Sequence, residues 1–552
     1  MSAKFRPSDE VDFLVIGAGA AGGVMAKELS TAGFRVVVLE QGPYLTEKDY
    51  RHDEVRYTYQ AGLTNDTKLQ PITYRKNESE VAKPIKAIMY GRQVGGGSVH
   101  FTANYWRFHE SDFEERSQFG DVAGAALADW PIKYSDLEPY YTKAEYDLGI
   151  SGLGGANPFE GPRSKPYPLP PMPVKSSGVL FERATKKLGL HPYPAPMAIL
   201  SQPYQGRAGC VHCGFCEYFG CEVRAKSSTL VSVIPIAEKT GRCEIRANSY
   251  VRKIETDARG RATGAIYFDA NKREIFQRAK AVVICANGAE TARLLLMSKS
   301  KRSPEGLANS SGLVGKHLMW DTGTLAMGLF EHPLNEYKSI QVTRVIHDYY
   351  RADPKRGFYG GAGIDARFNY YPANFALTGM PPDAPKWGAE YKKMLGTYFT
   401  HTMTLLAHTS SLPQPGNSIS LDPDLKDAWG LPAMRVTFDF HPDDVATMKW
   451  ALTKQIEILE AAGAQKSWAA GMSVEDNMPS THLMGTCRMG NDPKLSVVDR
   501  YNRAHDVPNL VIADGSSLVT AARQQPTATI QALAYRAADY AIQSAKKGEF
   551  KA

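Results

Sequence analysis

The sequence predicts an α/β fold: a parallel-stranded domain with a phosphate cradle at its first turn, interrupted by an inserted region of half-buried strands. Three observations predict it. Val11–Ile16 runs as an apolar strand straight into Gly17-Ala18-Gly19-Ala20-Ala21-Gly22. A helix-spaced segment over 24–32 and a second apolar strand over 35–39 follow, ending at Glu40. Between about 320 and 470 the pattern changes: 323–330, 340–347, 401–408 and 434–440 alternate as half-buried strands do, and 443–462 is an amphipathic helix.

The first turn is the most specific of these. Its glycines suit a tight turn (Gly17), close backbone approach to a pyrophosphate (Gly19) and close helix–strand packing (Gly22). The helix N-terminus that follows faces the phosphates. Glu40 closes the second strand about 20 residues on, where an acid accepts hydrogen bonds from an adenosine ribose. Strand, helix, strand and acid stand in register, so a Rossmann-like dinucleotide site is expected. A second glycine loop, Gly95-Gly96-Gly97-Ser98-Val99-His100, does not fit a regular element. It suits backbone laid against a flat ring or a phosphate. Residues 160–205 are proline-rich and without period, as in a surface-wrapping segment. Residues 244–256 and 263–276 read as further strands of the first domain.

Bulk properties narrow the function. A chain of 552 residues, 43% hydrophobic and 22% charged, is globular and large enough for two or three domains. Its net charge of +7 is small, and no basic run interleaves with aromatics, which argues against nucleic acid. The longest apolar stretches, such as 281–286, fall far short of the ~18 residues that span a membrane. The first ten residues lack the apolar core of a signal peptide. The expectation is a cytoplasmic chain, or a periplasmic one escorted by a signal-bearing partner.

Taken together, the cradle, the Gly95–His100 loop, Ala286-Asn287-Gly288-Ala289-Glu290-Thr291 and the segment from His482 to Ala534 resemble the glucose-methanol-choline (GMC) flavoprotein oxidoreductases. Asp129-Trp130-Pro131-Ile132 and Asp136-Leu137-Glu138-Pro139 resemble a stretch of that family's bacterial sugar and glycoside dehydrogenases, in their catalytic large subunits. The resemblance spans nearly the whole chain, in the family's order. It implies a Rossmann-like FAD-binding domain from 1–110, 205–319 and 471–552. It also implies an inserted α+β substrate domain on an antiparallel sheet, from 111–204 and 320–470. FAD is the cofactor so implied, with Gly17, Gly19, Gly22, Glu40, Gly95, Gly96, Ser98, His100, Val251, Asp514 and Thr527 as its binding residues. Asp514 matches the family aspartate near the ribityl and pyrophosphate groups. Thr527 opens a helix whose N–H groups favour reduced, anionic flavin. In some relatives a histidine placed like His100 is bonded covalently to the flavin; in others it stacks or hydrogen-bonds.

An alcohol gives up hydride readily only if its hydroxyl proton also leaves, so the site needs a base with a pKa near the working pH. By resemblance His482, before the Gly485-Thr486 turn, is that base. The family's second group, His or Asn, holds the hydroxyl; here that position is Gln525, and Gln524 competes if the register slips by one. The Trp320-Asp321-Thr322 stretch also departs from the branch's usual Asp-His-Pro, and Trp320 is read as core packing or a sugar platform.

Of seven cysteines, Cys210, Cys213, Cys216 and Cys221 form a cluster of two Cys-x-x-Cys spacings and a fourth. Such a cluster can ligate an iron–sulfur centre or zinc, or can consist of structural thiols. The family hint is an iron–sulfur cluster passing electrons singly, but the spacing differs from that of the glucose and fructose enzymes. The expected activity is oxidation of a sugar or glycoside hydroxyl, with electrons passed to a cytochrome or another acceptor and a small escort subunit as partner. An oxygen-using oxidase of the pyranose-oxidase type, a lyase and a noncatalytic FAD-binding subunit are the alternatives.

Overall fold

Val11–Ile16 lies at the middle of a seven-stranded sheet, and every residue in it but Asp12 is buried. The computed structural model describes residues 4–60, 62–86, 88–471, 474 and 481–550. Val36–Leu39 pairs in parallel on one side of this strand and Glu274–Ile284 on the other. Cys243–Arg246 and Leu510–Ile512 extend the parallel set. Burial on both faces explains the unbroken Val/Ile/Leu runs. Tyr250–Thr256 and Ala262–Phe268 add an antiparallel pair to the far end of the long strand Glu274–Ile284.

The glycine turn obeys the sequence reading. Gly17 has φ +94°, and a Cβ there would stand 2.4 Å from the Cys285 carbonyl oxygen. A Cβ on Gly22 would stand 1.8 Å from the Gly17 oxygen, so the helix Ala20–Thr31 can seat only on glycine. That helix packs against Thr527–Lys546, which packs in turn against Tyr134–Leu148. Lys27 and Tyr535 meet at Asp147, at 2.8 and 2.6 Å. The helix Tyr134–Leu148 thus packs on Thr527–Lys546 and is ion-paired to Ala20–Thr31.

A second seven-stranded sheet is antiparallel throughout. Its order is Lys466–Ala470, Met319–Leu329, Thr402–Ser410, Gly363–Arg367, Val342–Ile346 and Tyr193–Pro194, with Leu483–Met484 paired to the start of Met319–Leu329. Pro442–Ala461 covers one face. The alternating segment at 434–440 departs from expectation. Its strand, Pro432–Thr437, belongs to a separate four-stranded sheet, where it pairs in parallel with Ile72–Arg75. Alternation marks a half-buried strand but not its partner. Among the described residues no helix is long and apolar enough to cross a membrane.

Candidate active site

The edge of the parallel sheet and one face of the antiparallel sheet enclose a cavity of about 630 Å³. Gly17, Gly19, Glu40, Gly96, Ser98, His100, Val251, Asp514 and Thr527 line it, together with His482 and Gln525. Two of the expected cofactor residues do not. Gly22 acts through the helix seat described above. Gly95, at φ +94°, turns the second loop, and a Cβ there would press on Val99 and Leu230. A Cβ on Gly96 would stand 2.7 Å from the Gly19 Cα, so the two glycine loops touch backbone to backbone.

The Glu40 and Asp514 carboxylates are held by the chain. The Glu40 carboxylate accepts from the Ala18 and Gly42 N–H groups, both at 2.9 Å. Burial nevertheless raises its pKa to about 7, against those bonds and the nearby Arg92. The Ser249 N–H donates to the Glu40 carbonyl at 2.8 Å, which brings Val251 to the same end. Asp514 accepts from the Asn287 N–H, the Thr291 hydroxyl and both donors of Ser516. Its pKa is raised by burial. His100 is buried at the cavity wall, and burial together with Lys226 lowers its pKa to about 4.

The C-terminal residues occupy the other wall. His482 has φ +56°, and its Nδ1 stands 3.0 Å from the Asp321 carboxylate. Gln525 reaches the cavity while Gln524 is fully buried with its amide on the Arg107 carbonyl, so the register places Gln525 in the site. The Gln525 Nε2 lies 2.8 Å from the His408 Nε2. Thr527 and Ile530, on the first turn of Thr527–Lys546, line the same space. Trp320 lines it too, with its ring 6.1 Å from Phe440, so it packs and borders the cavity together.

Sequence reasoning missed the charged residues on the antiparallel sheet: His408, Asp365 and Arg367. It met Asp321 only as a departure. His408 sits between Asp321 (3.4 Å) and Asp365 (2.9 Å), and Asp365 holds the Arg367 guanidinium through both its oxygens. A signal existed: Asp321 is the one charge on the strand Met319–Leu329, and Asp365 and Arg367 stand two apart on the buried strand Gly363–Arg367. Charge on a buried strand face marks a site.

The cysteine cluster does not form the ligand set its spacing suggested. Among the described residues no three His, Cys, Asp or Glu side chains group so as to hold a metal ion. Cys216 is buried, Cys210 and Cys221 are half-buried and Cys213 is exposed, all as free thiols. The loop is organised by a cation of its own. The buried Lys226 ammonium donates to the carbonyls of Phe101, Cys216 and Phe219. Carbonyls, not thiolates, converge there.

Comparison with known proteins agrees with this architecture. Family models described as GMC oxidoreductase match residues 11–322 and 413–534. A 2-methyl-1,2-propanediol dehydrogenase from Mycolicibacterium austroafricanum is 35% identical over 97% of this chain and 95% of its own. The fructose dehydrogenase large subunit of Gluconobacter japonicus is 30% identical, covering 97% and 98%. A formate oxidase structure from Aspergillus oryzae RIB40, whose description names FAD, superposes with a TM-score of 0.70 at 15% identity, covering 99% and 100%.

Proposed function

The chain belongs to the GMC oxidoreductase family and acts on CH–OH groups, and on that premise we propose that it is an FAD-dependent dehydrogenase of a sugar or glycoside hydroxyl. The observation that carries this reading is one cavity that joins a dinucleotide cradle to a histidine paired with a buried carboxylate. The cradle fits FAD. Two glycine loops meet where Gly96 could carry no Cβ, the Ala20–Thr31 helix presents its N-terminus, and Glu40 offers a carboxylate at the ribose end. Gly17, Gly19 and Gly96 would border the pyrophosphate, Val251 and Glu40 the adenosine, and Ser98, His100, Asp514 and Thr527 the flavin half. FAD supplies the hydride acceptor, flavin N5.

The chain's own residues manage the proton. His482 takes it from the hydroxyl as the O–H bond breaks, and the carbinol C–H leaves as hydride with both bonding electrons. Asp321 neutralises the imidazolium so formed. Gln525 and His408 keep that wall polar and ordered. The electrons pass on to a partner, a cytochrome or another acceptor, with a small subunit as escort. The dehydrogenase names of two relatives, one of them a large subunit, support this.

The test is an anaerobic absorption spectrum of the purified protein before and after a panel of sugars, glycosides and diols. Bleaching of a flavin spectrum by one of them, with slow recovery in air, is expected. Fast recovery in air with peroxide would make the protein an oxidase. A flavin that no alcohol bleaches would overturn the reading. Iron and sulfide assays on the same sample are expected to be negative.

A further inference from the structure

We propose that Asp321 and His408 are positioning residues for His482, forming an imidazole–carboxylate–imidazole relay across the seam between the two domains. The inference rests on the reading above, in which His482 takes the substrate proton. Strand register builds the relay. Trp320 pairs with Leu483, so the next step of the ladder sets Asp321 beside His482. His408 faces Gly323 on one neighbouring strand and Gly363 on the other. No cross-strand side chain fills its space, and its ring reaches the diagonal neighbours Asp321 and Asp365.

The distances make one continuous chain. His482 Nδ1 and His408 Nδ1 approach the same Asp321 oxygen, at 3.0 and 3.4 Å, as ion-pair contacts and not as aligned hydrogen bonds. His408 Nε2 stands 2.9 Å from Asp365, which is gripped in turn by Arg367. The side chains of Asp321, His408 and Asp365 are 1%, 3% and 0% exposed. Charges so buried persist only when paired. Two carboxylates balance Arg367 and a His408 imidazolium. Ionisation agrees with this balance. Burial opposes the charge on His408, but Asp321 and Asp365 outweigh it and raise its pKa. Burial likewise opposes Asp321, but His408 and His482 hold its carboxyl below the usual value.

The relay gives each member a task. With Nδ1 against Asp321, His482 carries its proton there and keeps Nε2 as the free base. After proton uptake the Asp321 charge steadies the imidazolium. His408 draws on the same oxygen, so His482 faces a partly neutralised carboxylate. Gln525 approaches His408 from the substrate side, and its carboxamide oxygen is the end that can accept from the imidazolium N–H.

The experiment has two readouts on FAD-loaded protein. The first needs no substrate: ring ¹⁵N spectra of histidine-labelled protein, with His482→Gln to assign the signal. The expected spectrum shows His482 protonated at Nδ1, with that tautomer lost in Asp321→Asn. The second is the pH profile of flavin reduction by an alcohol that bleaches the wild type. Asp321→Asn is expected to lower the rate by about 10²- to 10⁴-fold with little change in KM, and to move the acid limb to lower pH. His408→Gln is expected to move the limb to higher pH, because Asp321 then acts on His482 alone. The charged and titratable groups facing this point are Asp321, His408, Asp365 and Arg367 on the sheet, His347 behind His408, Glu217 from the cysteine loop beside Asn369, and Asp514 in the cavity wall. Limbs that move together or not at all, or an unchanged tautomer in Asp321→Asn, would overturn the relay. Failure of every alcohol to bleach the flavin would instead overturn the reading beneath it, and the tautomer would still be measured.

Discussion

The His482 imidazole and the Asp321 carboxylate meet at 3.0 Å because a two-residue ladder, Leu483–Met484 on Met319–Trp320, ends directly beside them. The segment carrying His482 and the strand Met319–Leu329 of the antiparallel sheet are thereby stitched together at the point where the chemistry is placed.

Removing the base tests that placement. His482→Gln is expected to slow flavin reduction by about 10²- to 10⁴-fold. FAD content is expected to be unchanged, because the cradle residues lie on other elements. Anaerobic stopped-flow absorbance and the flavin-to-protein ratio measure the two effects.

Cofactor affinity is expected to depend on pH through Glu40. Its carboxyl, raised to about 7 by burial, is half protonated near neutrality in the empty protein. A ribose hydroxyl donates to the ionised form, so binding below pH 7 releases a proton. Affinity for FAD therefore rises with pH, by up to about tenfold per unit below 7, and levels off above it. Fluorescence titration of the apoprotein is expected to show this slope, and Glu40→Gln to bind more weakly with a flat profile.

The Lys226 ammonium is expected to be a stability determinant. Lys226→Met would leave the carbonyls of Phe101, Cys216 and Phe219 without their donor in a buried place. A loss of about 2–4 kcal/mol is expected, read from urea denaturation of the holoprotein. Phe101 borders the cavity, so FAD content should fall with it.

Glycine at position 22 is expected to be irreplaceable. Gly22→Ala puts a methyl group 1.8 Å from the Gly17 oxygen, where only backbone could yield. Loss of FAD and a destabilisation above about 3 kcal/mol are expected. Gly416→Ala, with nothing within 4 Å of its Cβ, is the control and should leave both unchanged. Thermal melting with flavin fluorescence separates the two.

Local signals in the sequence were reliable where the physics is local. The turn at 17–22 needs glycine for reasons confined to a few residues, and the strands flanking it are buried on both faces. The motif before Thr527 distinguished Gln525 from Gln524 only as a choice of register, which the Arg107 contact of Gln524 resolves in the fold. The sheet residues were illegible for the opposite reason. Asp321, Asp365 and His408 come together only through the register of three strands, and nothing near any one of them names the other two. The cysteines show the reverse error: a suggestive spacing within a loop whose shape is set by Lys226, which follows it. Strand 432–437 was visible, but its partner at 72–75 was not, because pairing over that sequence distance leaves no local trace.

The ladder at Trp320–Leu483 also separates two design problems that are entangled in many catalysts. Leu325, Asn369 and Leu406 border the cavity outside that two-residue ladder. A library randomised at these three positions can retarget the protein to a different alcohol while the reactive histidine keeps its anchor.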